Sequence, residues 1–199
     1  MKHTLLLTAL SALLLSNPAQ AQIPVVSKVT KALPKVTVGL KAGANFQTLS
    51  GTGWASSYKP GIVGGAFVGL SKGKWGVQVE ALIKSARFDT KASSSVYVKT
   101  LSLDIPVLLE YKIVKRLWIQ AGPQFTSLMS AKDQASNDVK KSFKSSDISG
   151  VVGVEVKLPL HLIAGARYVL GFTDINNTTG ATDAWKNRYA QLYVGFRFL

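Results

Sequence analysis

Past residue 35 the chain alternates: apolar side chains fall on every second position through segment after segment, and no 3.6-residue repeat competes with that rhythm. A period of two belongs to strands with one apolar and one polar face. The stretch "LSLDIPVLLEYK", residues 101–112, shows both the pattern and its difficulty. Leu101, Leu103, Ile105, Val107, Leu109 and Tyr111 share one face, while Asp104, Pro106, Glu110 and Lys112 share the other. A fold for this chain must cover those leucines and still accommodate carboxylates a residue away.

The rhythm recurs with the same division of labour. Over about 36–47, Val36, Val38, Leu40, Ala42, Ala44 and Phe46 oppose Thr37, Lys41 and Asn45. Over about 75–88, Val77, Val79, Ala81 and Ile83 oppose Gln78, Glu80 and Lys84. Over about 117–129, Leu117, Ile119, Ala121, Phe125 and Met129 oppose Gln120, Gln124 and Thr126. Segments at about 147–158 and 160–172 set Val152, Val154 and Val156 against Ser149, Glu155 and Lys157, and Leu162, Ala164, Ala166, Tyr168 and Leu170 against Arg167. The last, about 187–199, sets Leu192, Val194, Phe196 and Phe198 against Gln191 and Arg197. A Gly-rich segment at about 61–71 has the length of a strand but no readable facing.

The connections carry the second signal. "SKGK", "IVKR" and a bend near Pro159 are short, whereas "SGTGWASSYKP", "DTKASSS", "AKDQASNDVKKSFKSS" and "TDINNTTGATDAWK" are long and polar. Short turns alternating with long loops describe an outer-membrane barrel with short periplasmic turns. The reading is all-β: an eight-stranded antiparallel transmembrane β-barrel, an up-and-down meander like OmpA and OmpX, with both termini periplasmic. A soluble lipocalin-like ligand carrier shares the strand count. Three features favour the membrane. The polar face pairs Glu80, Asp104, Glu110 and Glu155 with Lys41, Lys84, Arg167 and Arg197, as a tight interior requires. Aromatics gather at segment ends (Phe46, Trp75, Phe88, Tyr97, Tyr111, Trp118, Phe125, Phe172, Tyr189) as interfacial girdles, with Phe67, Tyr168 and Tyr193 outside that pattern. Finally, the sequence ends inside its last strand, "LYVGFRFL". Lipid then takes the leucines and the lumen takes the ions; backbone groups are satisfied only if the sheet closes. Pro106 has no N–H for a ladder, which predicts a bulge there or an unpaired spot facing the lumen.

Residues 1–21 read as a signal peptide: Lys2 and His3, an apolar run over 5–15, and Ala19-Gln20-Ala21. Residues 22–35 read as a periplasmic linker, and 36–199 as the barrel domain. With no cysteine there is no disulfide, thiolate metal site or lipoprotein anchor. The formal charge of +14 is spread over segment ends rather than gathered on one arm, and export makes nucleic acid a poor partner.

"KVTVGLKAGANF", "LSLDIPVLLEYKI", "WIQAGPQFTSLMS", "GARYVLGFTDI" and "RYAQLYVGFRF" resemble the PorT-like outer-membrane β-barrel family common in Bacteroidetes. The resemblance spans nearly all of the chain after the leader, and the proline segment followed by "AGPQF" is its most specific part. It implies an eight-stranded barrel and little chemistry; a namesake's link to protein secretion does not transfer with the fold. The last strand also resembles the signal read by the barrel assembly machinery, with Leu192, Val194, Phe196 and Phe198 as the alternating set and Leu199 one position beyond the aromatic usual at that end.

Enzyme activity is not expected. Small outer-membrane hydrolases use a histidine near the outer rim with serine or acid; here His161 lies at a predicted periplasmic turn, with no serine or acid at nucleophile spacing beside it. No cofactor or metal is expected. An eight-stranded barrel has room only for its own side chains, so the lumenal charges are expected to plug it; a narrow pore or an accessory part of a secretion or transport system is the alternative function. The Gly61, Gly65 and Gly69 spacing sits on too short a run to be a helix-packing motif. The sequons at Asn176 and Asn177 read as loop composition. Lys140, Lys141 and Lys144 read as a solvated loop that could also touch glycolipid phosphate. Expected partners are outer-membrane lipid, lipopolysaccharide as a candidate, and the assembly machinery; the chain is expected to be monomeric.

Overall fold

A computed structural model describes residues 34–50, 59–89, 97–133, 135, 137–140, 144–173 and 186–198. The leader at 1–21, nearly all of the 22–35 linker, and the sequons at Asn176 and Asn177 lie outside the described residues. Eight strands follow one another: β1 Lys35–Ser50, β2 Lys59–Lys72, β3 Trp75–Asp89, β4 Tyr97–Lys112, β5 Leu117–Asp133, β6 Ser146–Lys157, β7 Leu162–Gly171 and β8 Lys186–Arg197. Each pairs antiparallel with the next, and β8 returns to β1, closing the barrel. Closure removes both sheet edges, which hydrocarbon demands of any sheet crossing it.

The polarity is inverted relative to a water-soluble protein. Leu40, Val68, Val79, Ile83, Leu109, Val152 and Val194 are exposed on the outside, while Lys41, Glu80, Lys84, Asp104, Glu110, Glu155 and Arg167 are buried inside. The alternation therefore resolves with its apolar face outward. In β2 the facing unreadable in sequence is now plain: Val63 and Phe67 point inward with Gly65 and Gly69, and Ile62, Val68 and Leu70 point outward. Glycine and alanine carry no facing signal, so the pattern there was diluted rather than broken.

Pro106 does not sit at a bulge. Its side chain is fully buried, and the β3–β4 ladder skips the two pairings between Val79↔Val107 and Leu82↔Asp104 without any change of register. This is the unpaired, lumen-facing spot. The bulge lies elsewhere: the β4–β5 register shifts between Leu101 and Ser102, leaving Met129 as the extra residue of β5. Beyond it the facing of β5 inverts, because one added residue exchanges the two faces of a strand.

The short connections are tight. Gly73 turns β2 into β3 with φ +64°. In the β6–β7 turn, Leu160 and His161 both have positive φ, at 56° and 62°, and the Leu162 N–H donates to the Pro159 carbonyl at 3.3 Å. That is the geometry of a hairpin turn normally built from Asn and Gly, carried here by residues poorly suited to it.

Candidate functional site

The lumen is filled by side chains arranged in tiers along the barrel axis. In the middle tier, Glu80 on β3 receives two hydrogen bonds from the Arg167 guanidinium on β7, at 2.7 and 3.0 Å. Lys41 Nζ on β1 donates to Glu80 Oε1 and to Glu155 Oε2, each at 2.8 Å. Two cations and two carboxylates thus form a neutral quartet drawn from four strands. Phe67 and Tyr193 line it with ring faces: Lys41 Nζ lies 4.7 Å and 4.5 Å from the two ring centroids, and the Arg167 guanidinium 4.5 Å from that of Tyr193. The Tyr193 hydroxyl sits 3.0 Å from Glu155 Oε2 and 3.1 Å from Gln120 Oε1. A bidentate guanidinium–carboxylate pair is among the stronger polar contacts available, and with water excluded each charge depends on these partners.

Room for this tier comes from glycine. A Cβ on Gly165 would collide with the Tyr193 ring, which lies directly over the β7 backbone there. The void left beside the quartet, lined by Lys41, Leu82, Arg167 and Tyr193, is about 10 Å³. That is near the least space a single water needs.

The tier nearer the short turns is partly open. Lys157 Nζ is 3.3 Å from Glu110 Oε2 and 3.8 Å from the Trp118 ring centroid, and Gln120 donates to Glu110 at 2.6 Å. Nearer the long loops, Lys84 Nζ lies 3.0 Å from Asp104 Oδ2, which also accepts from the Tyr189 hydroxyl at 3.0 Å. Gln124 donates to that hydroxyl at 2.7 Å, and Lys84 Nζ lies 4.0 Å from the Tyr189 ring centroid. Leu108, Val151 and Val169 pack with Tyr189 in an apolar layer. Above them the barrel opens to a mouth of about 50 Å³ lined by residues including Lys84, Phe88, Asp147 and Asn187.

Seven of the eight residues expected in the lumenal charge network therefore meet a charged partner across it, but not as a single cluster. Arg197 does not join them. It lies at the short-turn end, where its guanidinium donates to the Leu158 carbonyl at 3.4 Å, and among the described residues no carboxylate is within 4 Å of it. β8 ends at Arg197, so that side chain sits half-buried at the short-turn rim, away from the lumenal acids. Leu192, Val194, Phe196 and Phe198 are exposed on the outer face of β8.

The girdle assignment needs correction at three positions. Phe88, Trp118 and Tyr189 are buried in the lumen, whereas Trp75 and Tyr111 do pair on the outside, with ring centroids 4.7 Å apart. Parity was the available signal: Trp118 is in phase with Gln120 and Gln124, Tyr189 with Gln191, and Phe88 with Glu80 and Lys84. An aromatic in phase with the polar face belongs to the lumen, whatever its distance from the strand end. The same rule would have found Tyr193, in phase with Gln191.

His161 occupies the exposed β6–β7 turn beside Phe196, with ring centroids 6.1 Å apart. Among the described residues, no group of three His, Cys, Asp or Glu side chains could hold a metal ion.

A family model described as "Outer membrane protein beta-barrel domain" matches residues 20–177. Among solved structures, the chain is similar to Ail, the attachment invasion locus protein of Yersinia pestis, in complex with the heparin analogue sucrose octasulfate. Identity is 11%, the TM-score 0.52, and the match covers 82% of this chain and 99% of that one. It is similar in the same way to Neisserial surface protein A, at 16% identity and TM-score 0.52, over 82% and 99% of the two chains. Both likenesses are of fold. No curated protein matches the sequence.

Proposed function

The chain belongs to the outer membrane protein β-barrel domain family and is an eight-stranded outer-membrane barrel; from that premise we propose that it is a non-enzymatic barrel whose filled lumen makes it a rigid mount for surface loops. The observation that carries this reading is the buried, neutral quartet of Lys41, Glu80, Glu155 and Arg167, with a void of only about 10 Å³ beside it. A passage for solutes needs a continuous wet path, and a dry ionic tier on four strands interrupts one. What the molecule can offer a partner is then its outer wall and its loops.

Within the family, it is a PorT-like barrel, a reading supported by the resemblance of segments such as "LSLDIPVLLEYKI" and "WIQAGPQFTSLMS". Residues 1–21 are a signal peptide and 22–35 a periplasmic linker. Both termini and the short turns face the periplasm, and the opposite rim of the barrel faces the cell exterior. The barrel is a monomer in outer-membrane lipid, with lipopolysaccharide as a surface partner. During biogenesis the assembly machinery engages the outward row Leu192, Val194, Phe196 and Phe198.

Planar-bilayer recording and surface proteolysis test the two halves of the proposal. The purified barrel is expected to give no discrete conductance steps, and protease added to intact cells should nick the 131–146 segment. Stepwise openings in the parent protein would instead favour a narrow pore, and cleavage only after cell lysis would reverse the orientation.

A further inference from the structure

We infer that the outer wall of β3–β5 at the long-loop end binds a phosphate group of an outer-leaflet phosphoglycolipid, through Arg87, Lys99 and Lys132. The inference rests on the orientation proposed above and gives the lipopolysaccharide partner named there a defined phosphate contact.

The three cations form a row across neighbouring strands. Arg87 pairs in register with Lys99, and Lys99 with Lys132. Residues directly opposite in an antiparallel pair have Cβ atoms roughly 5 Å apart, and like charges so placed repel. The bulge creates this alignment. Before Met129 the inward residues of β5 are the even ones, such as Gln120 and Gln124; after it Ala131 turns inward and Lys132 outward. Had β5 run through Met129 in regular register, Lys132 would point into the lumen and Lys99 would face Ala131. A bulge that re-aims one side chain into a like-charged row makes sense where an anion joins the row.

Among the described residues, no carboxylate answers the charges of Lys99 and Lys132. Arg87 Nε is 2.9 Å from Asp89, and its guanidinium stacks 3.9 Å from the Tyr97 ring centroid. Asp89 also takes Lys59 at 2.8 Å. Among the described residues Lys99 meets the Tyr97 ring, 5.4 Å from its centroid, and no carboxylate lies within 4 Å of Lys99 or Lys132. Asp133 borders the same groove, but its carboxylate is held by the Ala135 and Asn137 backbone N–H groups and the Asn137 side chain at 2.8 to 3.0 Å. The groove between Tyr97, Lys99, Ser130 and Lys132 has a volume of about 200 Å³.

Position on the wall selects a lipid rather than a dissolved anion. Along β4 the outward residues run from Tyr111, beside Trp75, through Leu109 to Leu101 before reaching Lys99. A transmembrane strand spends about 9–11 residues in hydrocarbon, so Lys99 emerges at headgroup level. Ile83, Leu101 and Met129 continue below it as exposed apolar wall for acyl chains.

The test uses the folded barrel in phosphatidylcholine nanodiscs, with bisphosphorylated lipid A and its dephosphorylated form as probes. The parent should bind the phosphorylated lipid and discriminate against the other. Lys99→Gln with Lys132→Gln should weaken that binding by at least on the order of tenfold, through loss of two charge-assisted contacts. The same variant should unfold at a higher temperature than the parent in phosphatidylcholine alone, because the repulsion is gone. Lys72→Gln with Lys74→Gln, at the opposite rim, should leave both readings unchanged, and Lys99→Gln alone should fall between. Equal binding of both lipid forms by the parent, undiminished binding by the double variant, or an equal loss in the Lys72/Lys74 control would overturn the inference. A barrel that is nicked from outside and closed to ions, yet blind to the phosphate, keeps the proposed function and loses only this site.

Discussion

Substituting Arg167 by methionine probes the lumen most directly. The side chain keeps much of its length but loses its charge and donors, so Glu80 is left with the Gln78 amide at 2.7 Å and with Lys41 as its one cation, which Glu155 already shares. A neutral quartet becomes two carboxylates around one cation in a space too small to hydrate them. Breaking a buried pair by removing one partner costs about 3–5 kcal/mol, and the cation–π contact with Tyr193 adds roughly 1 kcal/mol. The expected loss is therefore about 4–6 kcal/mol, comparable with the whole stability of many small domains. Glu80→Gln in the same chain removes the stranded charge, so the double variant should recover at least about 2 kcal/mol of that loss. Urea unfolding in lipid vesicles measures the energies, and the temperature at which the folded band shifts on gels gives the rank order. If Arg167→Met costs less than about 1 kcal/mol, or if the two substitutions simply add, the quartet is not the interdependent unit described here.

The remaining expectations follow the same geometry. Glu110→Gln removes the partner of Lys157 in the more open tier, so it should cost well under the Arg167 value, about 1 kcal/mol by the same urea titration. Gly165→Val pushes a side chain into the Tyr193 ring; a loss of roughly 1–3 kcal/mol is expected, and Tyr193→Leu in the same chain should restore part of it. Replacing Leu160 by Asn and His161 by Gly supplies the β6–β7 turn with residues suited to positive φ. A gain of about 1–2 kcal/mol is expected, and an unchanged or lower unfolding midpoint would remove the case for strain in that turn.

The strand count, their alternation and the rank of short and long connections were open to reading because they depend on local chemistry. A residue's facing within a strand is set by parity, and turn length by the residues between strands. Where parity was clear, as from Leu101 to Lys112, the lumenal positions of Asp104 and Glu110 could be read directly. Where side chains were small, as around Gly65, the facing of β2 was lost although the strand itself was not.

Partnership was a different matter. Arg167 could be placed on the inner wall, but not against Glu80 rather than another acid, because that choice depends on how eight strands stagger around the barrel. Arg197 shared its parity yet ended at the rim, since height along the axis is fixed by register and not by facing. Trp118 and Tyr189 were read by their place at segment ends when their phase was the better guide. The bulge at Met129 was invisible in the sequence, and it alone brings Lys132 beside Lys99. By itself the sequence determined which way each strand sorts its residues, because that is a property of neighbours along the chain; only the closed barrel decided which charges meet, because neighbours across a sheet are set by stagger, tilt and one inserted residue.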